Sequence, residues 1–189
     1  MTTVFLSGSR KLGRLNDDIR QRVRNITSQS FEIVVGDANG ADKALQAYLS
    51  SLEYPKVTVY CAGARCRNNV GAWPIRHIEV PSNLRGREFY THKDKAMARK
   101  ADYGLVLWDG KSAGSIENVL ELLRSGKRAL VYLSPKKTFY SIASVADLRG
   151  ALDDCETEDL KVIDGKVGLS DFLAELGGLG QLRLDFSPS

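Results

Sequence analysis

The chain has 189 residues, 43% of them hydrophobic and 26% charged, the size and balance of one soluble globular domain with a real core. No stretch approaches the roughly 18 to 20 consecutive apolar residues of a membrane span, and the start "MTTVFLSGSR" has no basic segment followed by a long apolar one; the expectation is a cytoplasmic protein. The net charge of +4 suits a phosphate-bearing ligand or a weak nucleic-acid contact and by itself decides neither.

Short runs rich in β-branched residues alternate with longer segments of helical period, which predicts an α/β fold with a mainly parallel sheet and helices on its faces. "TTVFLSG" is the first strand, Leu15 to Ser28 a helix, "FEIVVGD" the second strand, Ala41 to Leu52 a helix and "KVTVYCAG" the third strand. Ala64 to Arg87, with Gly, Pro, Asn and Arg spread through it, is irregular apart from a short strand around "RHIEV". A helix from about Glu88 to Lys100, the strand "YGLVLW", a helix from Ser115 to Ser125 and the strand "RALVYL" restore the alternation. Beyond Pro135 the pattern is weaker: a helix over Ser141 to Leu152, a short strand "LKVID", a helix over Ser170 to Leu176 and a fraying tail "GGLGQLRLDFSPS" are expected. Residues 1–135 form the core and 136–189 an extension of the same domain, packed on or near it.

Cys61, Cys66 and Cys155 include a Cys-x4-Cys pair with no second pair or nearby histidine to complete a zinc site, so reduced, structural thiols are expected. His77 and His92 have no flanking acidic cluster, and neither metal nor cofactor is expected.

In open α/β sheets ligands bind beyond the carboxyl ends of the strands. Three turns there are glycine-rich and lead toward a helix: Ser7-Gly8-Ser9-Arg10, Gly36-Asp37-Ala38-Asn39-Gly40-Ala41-Asp42, and Asp109-Gly110-Lys111-Ser112-Ala113-Gly114-Ser115. Glycine lets backbone N–H groups approach an anion, and a helix N-terminus adds partial positive charge. Such turns also satisfy the geometry of a βα connection with no ligand at all. Together, with Arg10 and Lys111 on two of them, they suit a nucleotide-sized anion. Neither the dinucleotide fingerprint nor the P-loop is present, which argues against an ATPase. In "CAGARCRNNVGAWPIRH", Arg65, Arg67 and Arg76 with Trp73 combine phosphate-binding forks with an aromatic face; either they hold a base and phosphate, or the loop is solvated and Trp73 anchors it. Trp108 either stacks or belongs to the core. "RKLGR" lacks interleaved aromatics and is a weak nucleic-acid signal.

"FLSGSR", "VVGDANGADKAL", "KAMARKADYGLVLWDGKSAGSIENV" and "GKRALVYL", in this order, resemble the SLOG superfamily, specifically its uncharacterised bacterial and phage branch with GSR, GD..GAD and DGKS.GT motifs. The resemblance runs from about Thr3 to Leu133. It implies a Rossmann-like sheet that binds a nucleotide or nucleotide-derived ligand. It also implies homo-oligomers, and relatives that are either binding or sensing proteins or enzymes hydrolysing nucleoside monophosphates to free base and ribose phosphate. Against that enzymes' signature P-G-G-x-G-T-x-x-E, Asn118 stands on the catalytic position with Glu117 one residue early, and counting back from Met97 puts Lys93 where their Arg would be.

Cleavage of an N-glycoside needs a carboxylate to position water or stabilise an oxocarbenium-like sugar. Asp37 and Glu117 are the catalytic candidates. Glu117 is equally a first-turn acid favouring the helix dipole, and Asp109 either binds ribose hydroxyls or starts a turn. The ligand-binding set is Gly8, Ser9, Arg10, Gly36, Asp37, Gly40, Asp42, Arg65, Arg67, Lys93, Asp109, Gly110, Lys111, Ser112, Gly114 and Ser115. The leading expectation is a binding or sensor module for a nucleotide-derived small molecule. The alternatives are a nucleotide N-glycosidase or transferase and a DNA-associated accessory protein.

Overall fold

Strand residues alternate between two apolar layers, so the sheet must be covered on both sides. Val4 and Leu6 of β1 (Thr3–Gly8) face one layer and Phe5 the other; in β5 (Tyr103–Trp108), Leu105 and Leu107 face the first and Val106 and Trp108 the second. The computed structural model, which describes residues 1–184, joins them to β2 (Glu32–Gly36), β3 (Val57–Ala62), β4 (Ile75–Ile78), β6 (Arg128–Leu133) and β7 (Thr138–Ile142) in one seven-stranded sheet. The order is β4-β3-β2-β1-β5-β6-β7. All pairings from β4 to β6 are parallel, and β7 runs antiparallel to β6. This is the Rossmann-like arrangement expected.

Helices α1 (Asp17–Ser28) and α2 (Ala41–Ser51) cover the first face through Ile19, Val23 and Ile26 and through Leu45 and Leu49. Asn16 starts α1 by accepting a hydrogen bond from the Ile19 amide at 3.0 Å. Helices α3 (Gly86–Lys100) and α4 (Ala113–Arg124) cover the second face, with Met97, Ile116, Val119 and Leu120 buried. The same layer takes in Leu148 of α5 (Val145–Leu152), Ile163 of α6 (Thr157–Val167) and Phe172 of α7 (Leu169–Leu184).

The C-terminal third corrects several expectations. Ser141 and Ile142, assigned to a helix, belong to the edge strand β7, which the left-handed turn at Lys137 folds back onto β6. Helix α5 begins only after Ser144, whose hydroxyl accepts from the Asp147 amide. "LKVID" is helical, not a strand: Leu160, Ile163 and Val167 recur at helical spacing on one apolar face, and Gly168 ends α6 in the left-handed conformation. Gly177 to Leu184, expected to fray, continues α7; the last five residues of that tail lie outside the described residues. Among the described residues no helix is long and apolar enough to cross a membrane.

Candidate functional site

The chain leaves β1 toward one face of the sheet and β5, its neighbour, toward the other, so a cleft opens between their carboxyl ends. A cavity of about 460 Å³ lies there. Its walls are the β1 turn (Ser7 to Lys11), the start of α4 (Lys111 to Asn118), one side of α3 (Arg87 to Asp94), and Ala38, Asp42, Arg67 and Lys166.

The β5 turn is built by its own side chains. Asp109 Oδ1 accepts from the amides of Lys111 at 3.1 Å and Ser112 at 2.7 Å, while its Oδ2 accepts from the Ser9 hydroxyl at 2.8 Å. Asp109 thus ties the two turns together. Ser112 caps α4, accepting from the Ser115 amide at 3.4 Å. The Ser115 hydroxyl, 2% exposed, has no hydrogen-bond partner, the sole buried side-chain N or O atom so placed among the described residues. Asn118, one turn along, donates to the Ser7 hydroxyl at 3.1 Å.

On the β2 side charged groups are buried in two linked sets. Arg67 holds Asp37 through its backbone amide at 3.0 Å, Nε at 3.1 Å and Nη2 at 2.6 Å. Burial acts to raise the Asp37 carboxyl, but the hydrogen bonds and charge of Arg67, helped by Lys93, win and hold it below the ordinary carboxylate range. The guanidinium of Arg67 also lies over the Tyr90 ring, 4.1 Å from its centroid, and that of Arg10 lies 5.2 Å from the same centroid. The second set is Lys93, 3% exposed, with Nζ at 2.6 Å from Asp94 and beside Asp42. Burial alone would lower the Lys93 ammonium; Asp94 and Asp42 raise it above its usual value. Asp42, 4% exposed, is pushed up by burial to about 6 against the opposing pull of Lys93, and accepts from the Ala38 amide at 3.1 Å.

Gly36 is needed by this cluster: a Cβ there would meet the Asp42 carboxylate and come within 2.7 Å of Lys93 Nζ. Gly40, at φ +82°, lies against the backbone of Arg10. These glycines make room for protein groups, and neither lines the cavity.

Of the residues expected to bind ligand, Gly8, Ser9, Arg10, Asp42, Arg67, Lys93, Asp109, Lys111, Ser112, Gly114 and Ser115 line the cavity, as does Glu117. Gly36, Asp37, Gly40, Arg65 and Gly110 do not. Glu117 is held by Arg87 at 2.5 Å and by the Thr91 hydroxyl at 3.4 Å. Tyr90, Thr91, Asp94 and Arg87 on α3 were missed, because α3 is mostly polar all round and its inner face shows only after docking. The extension also reaches the mouth: Lys111 pairs with Asp159 of α6 at 2.9 Å, and Arg87 donates to the Lys166 carbonyl at 2.6 Å. Trp73 is buried with its indole donating to the Tyr54 carbonyl at 2.9 Å, and Trp108 is in the core, so both anchor the fold.

The thiols differ from expectation. Cys61 at the end of β3 and Cys66 in the following loop form a disulfide, because the loop doubles back over the strand end and brings their Cα atoms within 5.2 Å. Cys155 is free, with burial raising its thiol to about 11. The two sulfurs and an Asp37 oxygen lie within 4.8 Å of one another. With the sulfurs joined and both Asp37 oxygens on Arg67, the trio as it stands offers a metal no open thiolate.

Comparison with known proteins adds a fold likeness. No protein-family model matches the chain, and no curated protein matches it. The fold is similar to that of DNA processing protein A from Helicobacter pylori, a structure described for its single-stranded DNA binding mode. The TM-score is 0.52 and the identity 17%, over 69% of this chain and 64% of the other. The chain therefore matches less than two thirds of that protein's length, and the likeness is one of fold.

Proposed function

We propose that the chain is a SLOG-like protein that holds a nucleotide or nucleotide-derived ligand in the cavity between the β1 and β5 turns, as a binding or sensing module. The observation that carries this reading is the unpartnered Ser115 hydroxyl at the N-terminus of α4, on the wall of a cavity also lined by Arg10 and Lys111. Leaving a buried hydroxyl unmatched costs about 1–3 kcal/mol, and a phosphate oxygen at a helix N-terminus is a fitting partner. Gly8, Ser9, Gly114 and Ser115 line the phosphate end, with Arg10 supplying charge and Lys111 adding its own on exchanging Asp159 for the phosphate. Asp109, Ser112, Asp42 and Lys93 hold the walls, and Arg67 forms the rim with Tyr90.

The test is to strip the protein of nucleotides, incubate it with a mixture of nucleoside mono-, di- and triphosphates, and analyse retained and released species by mass spectrometry. Retention without cleavage supports a binding module. Absence of both retention and any thermal shift overturns the reading.

Release of free base would instead favour the N-glycosidase alternative. Its support is that Glu117 lines the cavity and, among the described residues, is bonded to Arg87 and Thr91, which line it too. Asp37, the other carboxylate proposed, is held by Arg67 and would have to be freed first. A DNA-associated role draws on the fold likeness and on Arg10 and Arg67 around Tyr90, a charged aromatic platform at the rim. Single-stranded DNA binding that weakens steeply with salt supports that role, and no binding at low salt removes it. Light scattering on the purified chain tests the homo-oligomer that the resemblance implies.

A further inference from the structure

The loop after β3 is fastened along its length: in its middle Gln46 bonds the Val70 amide and the Asn68 carbonyl, and the Asn68 side chain donates to the Asp37 carbonyl. At its far end Trp73 is buried, and Asn69 bonds the Trp73 backbone in both directions, at 3.1 and 2.7 Å. At its near end the fastening is the bond between Cys61, fully buried in β3, and Cys66, which is partly exposed. Arg67 follows directly. Its amide and guanidinium hold Asp37, and its guanidinium covers Tyr90 at the cavity rim.

We propose that the Cys61–Cys66 pair is a redox latch on this rim, which when closed holds Arg67 on Asp37 and Tyr90 and when opened lets the segment between Cys61 and Asn68 move. A dithiol opens it by ordinary exchange. One thiolate attacks the sulfur of the partly exposed Cys66, the Cys61 thiolate leaves, and the second thiol of the reagent displaces Cys66. Two electrons and two protons pass to the protein, and the reagent ends as its own disulfide. Cross-linking a short loop acts by removing open conformations, so its loss falls on the residues next to the bond. In a thiol-reducing compartment the open state is the resting one and oxidation closes the latch.

The Arg67 amide donates to Asp37, so its hydrogen-exchange rate reads the contact directly. It is measured in a Cys155→Ser background, after oxidised and after reduced dithiothreitol, with bond formation checked by thiol alkylation. The expected result is a reversible bond and Arg67 exchange at least about fivefold faster when reduced, with no redox effect on Arg67 exchange in Cys66→Ser. Alkylation of both cysteines after the oxidised reagent, or equal Arg67 exchange in the two states, overturns the proposal.

Discussion

Arg67 grips Asp37 from three directions, through its own amide, Nε and Nη2. The Asp37 side chain is 2% exposed and that of Arg67 29%, so the carboxylate depends on the arginine far more than the reverse.

Replacing Arg67 by Met keeps the aliphatic stem and removes the charge. The buried carboxylate then loses its guanidinium partner, and the expected cost is about 2–3 kcal/mol at neutral pH, measured by urea unfolding. The folded-state pKa of Asp37 is depressed, so the pair's contribution is present above the ordinary carboxylate pKa and is lost as pH falls through the folded value. Wild type and Arg67→Met should converge in stability toward acid. A constant gap from neutral to acid pH would contradict the ion-pair account.

Asp42 works in the opposite sense. Its folded pKa is raised to about 6 from 3.8, so the folded protein holds a proton that the unfolded chain releases. Stability from this group is full below about pH 4 and is lost as pH rises to about 6, by up to roughly 3 kcal/mol. In Asp42→Asn that part of the slope should vanish, which a difference curve of unfolding free energy between pH 4 and 7 would read.

Gln46 is fully buried and works at both ends of its amide. Its nitrogen donates to the Gly36 carbonyl at 2.7 Å and the Asn68 carbonyl at 3.3 Å, and its oxygen accepts from the Val70 amide at 2.9 Å. Gln46→Leu leaves those backbone groups unmatched, and a loss of about 2–4 kcal/mol is expected. Amide exchange at Val70 should rise more than at Leu45, since the damage is to the loop and not to the helix.

Ser115→Ala removes a hydroxyl that has no hydrogen-bond partner among the described residues. Thermal unfolding without ligand should be unchanged or slightly raised. Any nucleotide found to stabilise the wild type should bind about ten- to a hundredfold more weakly to the variant, as expected for one lost hydrogen bond to a charged group. Equal titration curves for the two proteins would remove Ser115 from the site.

The two strands "YGLVLW" and "RALVYL" were legible to the residue, because a buried parallel strand is a continuous apolar run with sharp polar ends. The glycine-rich turns after β1, β2 and β5 were legible as sharing one sheet edge, since strand alternation predicts a parallel sheet whose carboxyl ends gather them; that β1 and β5 are neighbours and open the cavity between them came from the strand order. Periodicity was enough to read the layers, most of the strands and the identity of the polar turn residues. What those residues do to one another depends on how the elements pack. Asp37 and Arg67 are thirty residues apart and meet because the β3 loop doubles back. Lys93 is buried because Asp42 and Asp94 converge on it from two helices. The edge strand β7 exists only as a partner for β6, since its own side chains are mostly half-exposed and carry little pattern. Periodicity reports which face of an element is apolar; it carries no record of which charged group on a distant element will share a buried volume, and there desolvation and pairing set the chemistry.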